Sequence, residues 1–439
     1  MTDFLRSETS ATHPTLSELF FVFGRVGLLS FGGPAGQIGM MHRVLVDEKR
    51  WLSEERFLHA LNYCMLLPGP EAQQLATYAG WLLHGRRGGI IAGTLFVLPG
   101  FVVIVALAAA YALYQDTHWL PALLFGLKAG VLAIVIEALL RVAKRALKSR
   151  FLIGIAVAAF IALFFFGVPF PLVILAAGIS GFLKARGGRS TKPDVESKAP
   201  PLLRQIRGVF VGILIWQMPL LLFWLLAAPN SLIELQEFFS RLAVVTFGGA
   251  YAVLAYVAQV AVETHHWMTA SEMLDGLALA EATPGPLVLV LSYIGFLAAF
   301  RHPGMLDPML AGVAGASVAA WATFVPSFIF IFLGAPYVER LRDNAALSGA
   351  LSAITGAVVG VILNLSVWFG LHVLFGKVDR VELLPQINFG MSLPDWHSLD
   401  LASLALFVVS AIMLFRLKFG MLPVLGLCIG AGFIRLWLS

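Results

Sequence analysis

The chain has 439 residues, of which 59% are hydrophobic and only 13% charged, with a net charge of +5. Soluble domains carry about 25% charged residues, so a chain this apolar cannot cover itself in water and takes the bilayer as its solvent. Its Lys and Arg residues gather in a few loops, where they carry topology information and call for no nucleic acid.

In chain order, residues 1–15 are polar, with Asp3, Arg6 and Glu8, and show no apolar core before a small-residue cleavage site. The first hydrophobic segment, from Leu16, is therefore expected to stay in the mature protein. Segments apolar enough to cross a core of roughly 30 Å follow at 16–40, 89–114, 120–140, 151–167, 169–184, 208–228, 233–260, 309–335, 346–374, 401–415 and 420–438. Two more stretches, 55–84 and 269–300, are broken in the middle by Pro-Gly-Pro. Residues 185–207, with Arg186, Arg189, Lys192, Lys198, Arg204 and Arg207, form the one clearly hydrophilic interior stretch and read as a cytoplasmic linker. Cys64 and Cys428 sit in apolar runs, and no Cys/His cluster, HExxH or thiol pair occurs, so neither a metal nor a cofactor is expected.

An internal repeat organises the chain. Phe31-Gly32-Gly33 recurs as Phe247-Gly248-Gly249, a shift of 216 that also matches Arg25 with Arg241, Trp51 with Trp267, and Pro68-Gly69-Pro70 with Pro284-Gly285-Pro286. Farther on, a shift of 227 pairs Pro99 with Pro326 and aligns 127–138 with 354–365. In the first half the loops at 84–89 and 141–150 are basic, whereas 115–119 and 167–171 carry no Lys or Arg. The positive-inside rule makes the first pair cytoplasmic and the second external. In the second half the counterparts of those external loops hold Arg340 and Arg342, and Arg416 and Lys418, so the halves are expected to lie upside down to each other. The expected architecture is an all-α polytopic membrane protein of two inverted-topology repeats: 1–185, a linker plus extra transmembrane helix at 186–230, and 231–439. Inverted repeats are a transporter architecture with the substrate site near the midplane. Two topologies stay open, eleven crossings plus two re-entrant hairpins or thirteen crossings, and with them the side of the N-terminus.

Pro-Gly-Pro in an apolar segment removes two amide donors and admits a flexible glycine. The amides after it, at Glu71 and Ala72 and at Leu287 and Val288, then begin a helix, where unpaired N–H groups and the dipole favour an anion. Discontinuous segments at matching places in two repeats point to a binding site; a packing kink is the alternative. Phe-Gly-Gly gives a second break per repeat, followed in the first copy by Pro34 and Gln37, and reads equally as a ligand approach or as close helix packing. Arg25 and Arg241 lie inside apolar segments and either meet an anion or snorkel to an interface. Lys128 and Glu137 break the symmetry, since Thr355 and Asn364 replace them in the second half; they are candidates for coupling or for an ion pair. Glu71 either contacts solute or caps a helix, and Glu281, three residues before Pro284, is a further titratable candidate.

These residues carry a resemblance. SFGGPAGQIGMMHR (30–43), LLPGPEAQQLATYAGW (66–81), TFGGAYAVLAYV (246–257) and ALAEATPGPLVLV (278–290) resemble the chromate ion transporter family in its long two-domain form, over essentially the whole chain. The resemblance implies a multi-pass bacterial inner-membrane protein that expels chromate and confers resistance, with antiparallel domains. The substrate-binding residues expected from repeat and resemblance together are Arg25, Phe31, Gly32, Gly33, Gln37, Pro68, Gly69, Pro70 and Glu71, and Arg241, Phe247, Gly248, Gly249, Glu281, Pro284, Gly285 and Pro286. In the second half Pro34, Gln37 and Glu71 give way to Ala250, Val253 and Leu287, so the half that holds the substrate stays open. The expected partners are a small oxyanion and the lipid bilayer, with self-association undecided. Sulfate transport, and more distantly an intramembrane enzyme, are the rival readings; the sequence holds no phosphate loop, CxxC or haem-ligand pair.

Overall fold

The computed structural model describes residues 14–31, 33–65, 67–115, 117–186, 202–226, 228–246, 250–334, 345–384, 386 and 389–438. Gly32, Phe247, Gly248 and Gly249, most of the linker, and Arg340 and Arg342 lie outside them.

The described chain is a succession of helices. The first half runs α1 (Leu16–Leu29), α2 (Gly33–His42) with a π turn at Arg43–Glu48, α3 (Glu54–Cys64), α4 (Glu71–Tyr114), α5 (Trp119–Ala146), α6 (Arg150–Phe164) and α7 (Phe170–Ala185). After α8 (Leu202–Leu225) the second half runs α9 (Asn230–Val245), α10 (Ala250–Gln259) with a π turn at Val260–Thr264, α11 (Ala270–Glu281), α12 (Val290–Arg301), α13 (Pro308–Gly334), α14 (Ala345–Leu374), α15 (Leu401–Ala411) and α16 (Met421–Leu438). Six helices among the described residues are long and apolar enough to span a membrane: α4, α5, residues Ile206–Leu225 of α8, α13, α14 and α16. The chain is thus a multi-pass, helical membrane protein. Helices start where side chains supply the missing acceptors for first-turn amides. Thr15 and Thr269 form capping boxes with Glu18 and Glu272, and Ser53 and Ser149 cap α3 and α6.

The two halves repeat their backbone detail at the offset read from sequence. Both π turns are followed, two residues on, by a residue with left-handed backbone, Arg50 (φ 52°) and His266 (φ 50°). Immediately after, the Trp51 and Trp267 amides donate to Leu45 O (2.8 Å) and Ala261 O (2.9 Å). The stretch 16–40, read from sequence as one span, is two helices, because α1 ends at Leu29 and α2 begins at Gly33. α4 is likewise bent: His84 and Gly85 leave helical angles, with Gly85 at φ 59°. An antiparallel hairpin, β1 (Val378–Leu384) and β2 (Phe389–Pro394), interrupts the all-α pattern between α14 and α15. It occupies the place of the short α5–α6 connection of the first half.

The chain folds into two compact units, and each draws on both halves. One comprises residues 1–105, 189–249 and 283–345; the other 106–188, 250–282 and 346–439. In the first, Leu19, Phe23 and Val26 of α1 pack into a core with Phe57, Tyr63, Leu75, Phe96 and Ile331. In the second, α5 and α16 touch backbone to backbone, since a Cβ on Gly126 would lie 1.9 Å from Cys428 O and one on Gly432 2.1 Å from Ala122 O. Such close approach is how membrane helices gain van der Waals contact where lipid offers no hydrophobic drive.

Candidate functional site: two crossed chain breaks

The first unit gathers the four breaks of the two repeats. α1 and α9 end alike, at Ser30 (φ −77°, ψ 74°) and Thr246 (φ −78°, ψ 85°). Their hydroxyls donate back to Val26 O (2.5 Å) and Leu242 O (2.6 Å), which satisfies two buried side chains locally. The carbonyls of Ser30 and Thr246 have no following helical turn to bond. Each is met by the glycine of the opposite Pro-Gly-Pro: Gly285 N–H donates to Ser30 O at 2.8 Å, and Gly69 N–H to Thr246 O at 2.7 Å. The four residues are repeat equivalents, so one bond is made twice with the roles of the halves exchanged.

Glycine is required at the two donors. Gly69 stands at φ 116° and Gly285 at φ 92°, angles that L side chains adopt only under strain. The flanking prolines, Pro68 and Pro70 on one side and Pro284 and Pro286 on the other, carry no amide, so each tripeptide has a single N–H to give. That N–H is committed to the crossing. Beyond it, α4 starts at Glu71, and a 3-10 turn at Leu287–Leu289 leads into α12.

Symmetry fails at the side chains. Gln37 donates through Nε2 to Gly285 O (2.5 Å) and to Ser30 O (3.5 Å), tying α2 to both strands of one crossing. Gln74 donates to Pro68 O (2.6 Å) and to Ser327 Oγ (3.4 Å). Val253 and Val290 stand at the equivalent places in the second half. Gln73, beside them, donates to Thr77 Oγ1 at 3.2 Å. The Oε1 atoms of Gln37, Gln73 and Gln74 are buried and have no hydrogen-bond partner among the described residues. A buried carbonyl left bare costs about 1–3 kcal/mol, so these oxygens mark where water or a donor-bearing solute has most to gain.

The other sequence-derived candidates divide. Phe31 and Gly33 (φ 66°) lie at the break, with Phe31 N–H donating to Leu29 O, and Glu71 opens α4 half-buried. Arg25 lies on the exposed side of α1, and Arg241 is exposed on α9 and paired with Glu237 at 3.1 Å one turn away. Neither arginine joins the crossing among the described contacts. Three candidates belong to the second unit. Glu281, buried at the end of α11, accepts from the Tyr251 hydroxyl at 2.7 Å. Glu137 pairs with Arg141 one turn on. Lys128 reaches a different helix, binding Asp275 of α11 at 2.7 Å and Ser271 at 3.0 Å, while Tyr111 donates to Asp275 at 3.0 Å. A cavity of about 380 Å³ opens over this cluster, with Gln115, His372 and Asp400 on its walls. Sequence reasoning missed Gln74, Ser327, Tyr251 and Asp275. Asp275 had a visible signal, as an acid within an apolar run, but its partner Lys128 lies 147 positions away and no local pattern links them.

Comparison with known proteins decides the family. The chromate transporter family profile matches residues 17–182 and 233–434, both halves of the repeat. The chain belongs to the chromate transporter family. It is 31% identical over 398 residues to a chromate transport protein of Pseudomonas aeruginosa, covering 88% of this chain and 87% of that one. A probable chromate transport protein of Synechococcus elongatus is 28% identical over 400 residues, 90% and 96% of the two chains. A chromate transport protein of Cupriavidus metallidurans is 29% identical over 350 residues, 79% and 81% of the two. No solved structure matches the chain. Within a chromate transporter family chain, the crossed breaks fall inside both matched segments, and the unmatched stretch between them contains the linker and the whole of α8.

Proposed function

We propose that this protein is a secondary transporter that exports chromate across the bacterial inner membrane, by alternating access of two inverted repeats. The observation that carries the reading is the doubled bond between breaks, Gly285 to Ser30 and Gly69 to Thr246. Irregular backbone at membrane depth is tolerated only where protein or a water-filled cavity covers it. Here each break is covered by the break of the other repeat, which gives the repeats a common pivot. Transporters of this kind bind solute where discontinuous helices meet.

The roles follow from what each group still has to offer. With the Gly69 and Gly285 amides engaged, the donors for an oxyanion are the first-turn amides at Ala72 and Gln73 and at Leu287 and Val288, which have no acceptor within their own helices. Phe31 and Gly33, at the break after α1, supply close backbone approach. Arg25 and Arg241, one to two turns before the crossing, attract the anion rather than hold it in this conformation. Glu71, half-buried at the start of α4, keeps a second anion out, and Glu281 is a titratable group of the second unit held by Tyr251. Lys128 with Asp275, and Glu137 with Arg141, form charge pairs whose exchange would couple the movement to ion flow. A divalent anion leaving a negative-inside cell gains roughly 4–5 kcal/mol at 100 mV, from about 2.3 kcal/mol per charge, so export runs without a nucleotide. Sulfate is the second reading, because backbone amides read the charge and shape that two tetrahedral oxyanions share. The relatives are named as transport proteins, which supports transport over enzymatic conversion.

Everted membrane vesicles containing the protein test this reading. Chromate should accumulate inside them, faster when an inside-positive potential is imposed, and sulfate should compete. Vesicles that hold the protein yet accumulate no more chromate than empty ones would sink the proposal.

A further inference from the structure

The first unit also holds a cavity of about 1030 Å³ that none of the crossing residues lines. Small-molecule sites run to about 300–1,000 Å³ and are lined mostly by apolar side chains around a few convergent polar groups; this one is mostly apolar, and its charged lining residues are two arginines. Its floor is α13, through Phe324 and Phe328, and its walls are α4 and α8. α4 seats on the floor through Gly89 and Gly93, whose added Cβ atoms would come within 2.7 Å of Phe332 and Phe328. α8 does the same through Gly208 and Gly212, against Leu333 at 2.8 Å and Ile329 at 3.1 Å. Two indoles clasp α8 to α13 at the inner end: Trp216 Nε1 donates to Ala322 O (2.9 Å) and Trp321 Nε1 to Trp216 O (3.1 Å). Charge is confined to the opposite mouth, where Arg86 and Arg207 line the cavity, both exposed and both without a side-chain partner among the described residues.

We propose that this groove binds an anionic phospholipid of the cytoplasmic leaflet, its phosphate between Arg86 and Arg207 and an acyl chain along α13. Three observations converge on that occupant. The α4 wall from Arg86 to Phe101 spans roughly 22 Å at 1.5 Å per residue, enough for the hydrocarbon of one leaflet, about half of a 30 Å core. The apolar window of α8 has no residue buried by the rest of the protein, so this wall faces lipid. Finally, the positive-inside rule puts residues 84–89 and the linker up to Arg207 on the cytoplasmic side, and both arginines line the one cavity. Basic sites between helices on that side hold anionic headgroups, and the guanidinium fork matches a phosphate.

The test uses purified full-length protein in detergent, with phosphatidylglycerol and phosphatidylcholine as probes, read by native mass spectrometry and by thermal unfolding. Wild type should retain phosphatidylglycerol in preference to phosphatidylcholine and unfold at higher temperature with it. The double variant Arg86→Gln/Arg207→Gln should bind phosphatidylglycerol about thirtyfold more weakly, the worth of two arginines near a headgroup. Arg87→Gln, beside the groove but not lining it, should behave as wild type and so controls for loss of charge. Equal retention of both lipids, or an unchanged preference in the double variant, would overturn the proposal. A second copy seated in the groove would overturn it too, and would show as a dimer that Val211→Trp disrupts while lipid retention stays the same.

Discussion

Gly69 and Gly285 have the same task but not the same surroundings. A Cβ on Gly69 would stand 2.9 Å from both Gln74 Nε2 and Ser327 Oγ, whereas one on Gly285 would first meet Leu289 Cδ1, at 3.2 Å. Both positions also force alanine into a left-handed backbone at a cost on the order of 1–3 kcal/mol. Gly69→Ala should therefore lower the unfolding temperature in detergent more than Gly285→Ala, and both should abolish chromate flux. Gln37→Val tests the asymmetry directly, because it installs the residue the second half already has. It removes the side-chain donor to Gly285 O and should cost about 1–3 kcal/mol, with transport lost before folding is. A Gln37→Val protein that transports at the wild-type rate would show that the glutamine is packing only. These positions were only partly legible in the sequence. The repeated Gly-containing tripeptides pointed to the breaks, since proline and glycine in an apolar run have few other uses. That each break bonds to the opposite repeat is a contact across more than 170 positions, and periodicity carries no trace of it.

At the scale of helices, the Lys128–Asp275 pair joins α5 to α11 with Asp275 almost fully buried. Removing one partner strands the other charge, which typically costs 3–5 kcal/mol, whereas replacing both by apolar groups is near neutral. Asp275→Leu and Lys128→Met should each destabilise by about that range, and the double variant should regain most of the loss. Additive losses in thermal unfolding would mean that the two charges do not stabilise each other. If the pair serves coupling, the double variant will fold and still lose the dependence of flux on potential. Helix existence was easy to read from hydropathy. Helix ends were less so: the hydrophobic run at 16–40 hides the turn at Ser30, because a serine bonded back to Val26 costs the apolar pattern only one residue. The hairpin at 378–394 went unread for a different reason. Its strands are short and mixed in polarity, with Asp379, Arg380 and Glu382 in β1, so neither alternation nor an apolar run marks them.

For the whole molecule, the charge argument makes a prediction about sidedness. Single cysteines at residues 87 and 145, in a protein otherwise free of Cys64 and Cys428, should be labelled only from the cytoplasm, and one at residue 117 only from outside. Labelling of residues 87 and 117 from the same side would contradict the sidedness drawn from charge, on which the inverted arrangement rests. The two compact units each combine segments of both halves, so a half is a unit of sequence and not a unit of packing. That is why the repeat was legible along the chain while the grouping of its helices was not.

The most direct test of the account is chromate flux into proteoliposomes made with purified protein, under a clamped potential, for wild type, Gly69→Ala, Gly285→Ala and the pair Arg25→Ala and Arg241→Ala. The account predicts chromate entry that rises as the receiving side is made positive, is lost in both glycine variants, and is slowed but not lost in the arginine variants. Full flux in a glycine variant that is correctly folded and inserted would contradict the crossed breaks as the transport site.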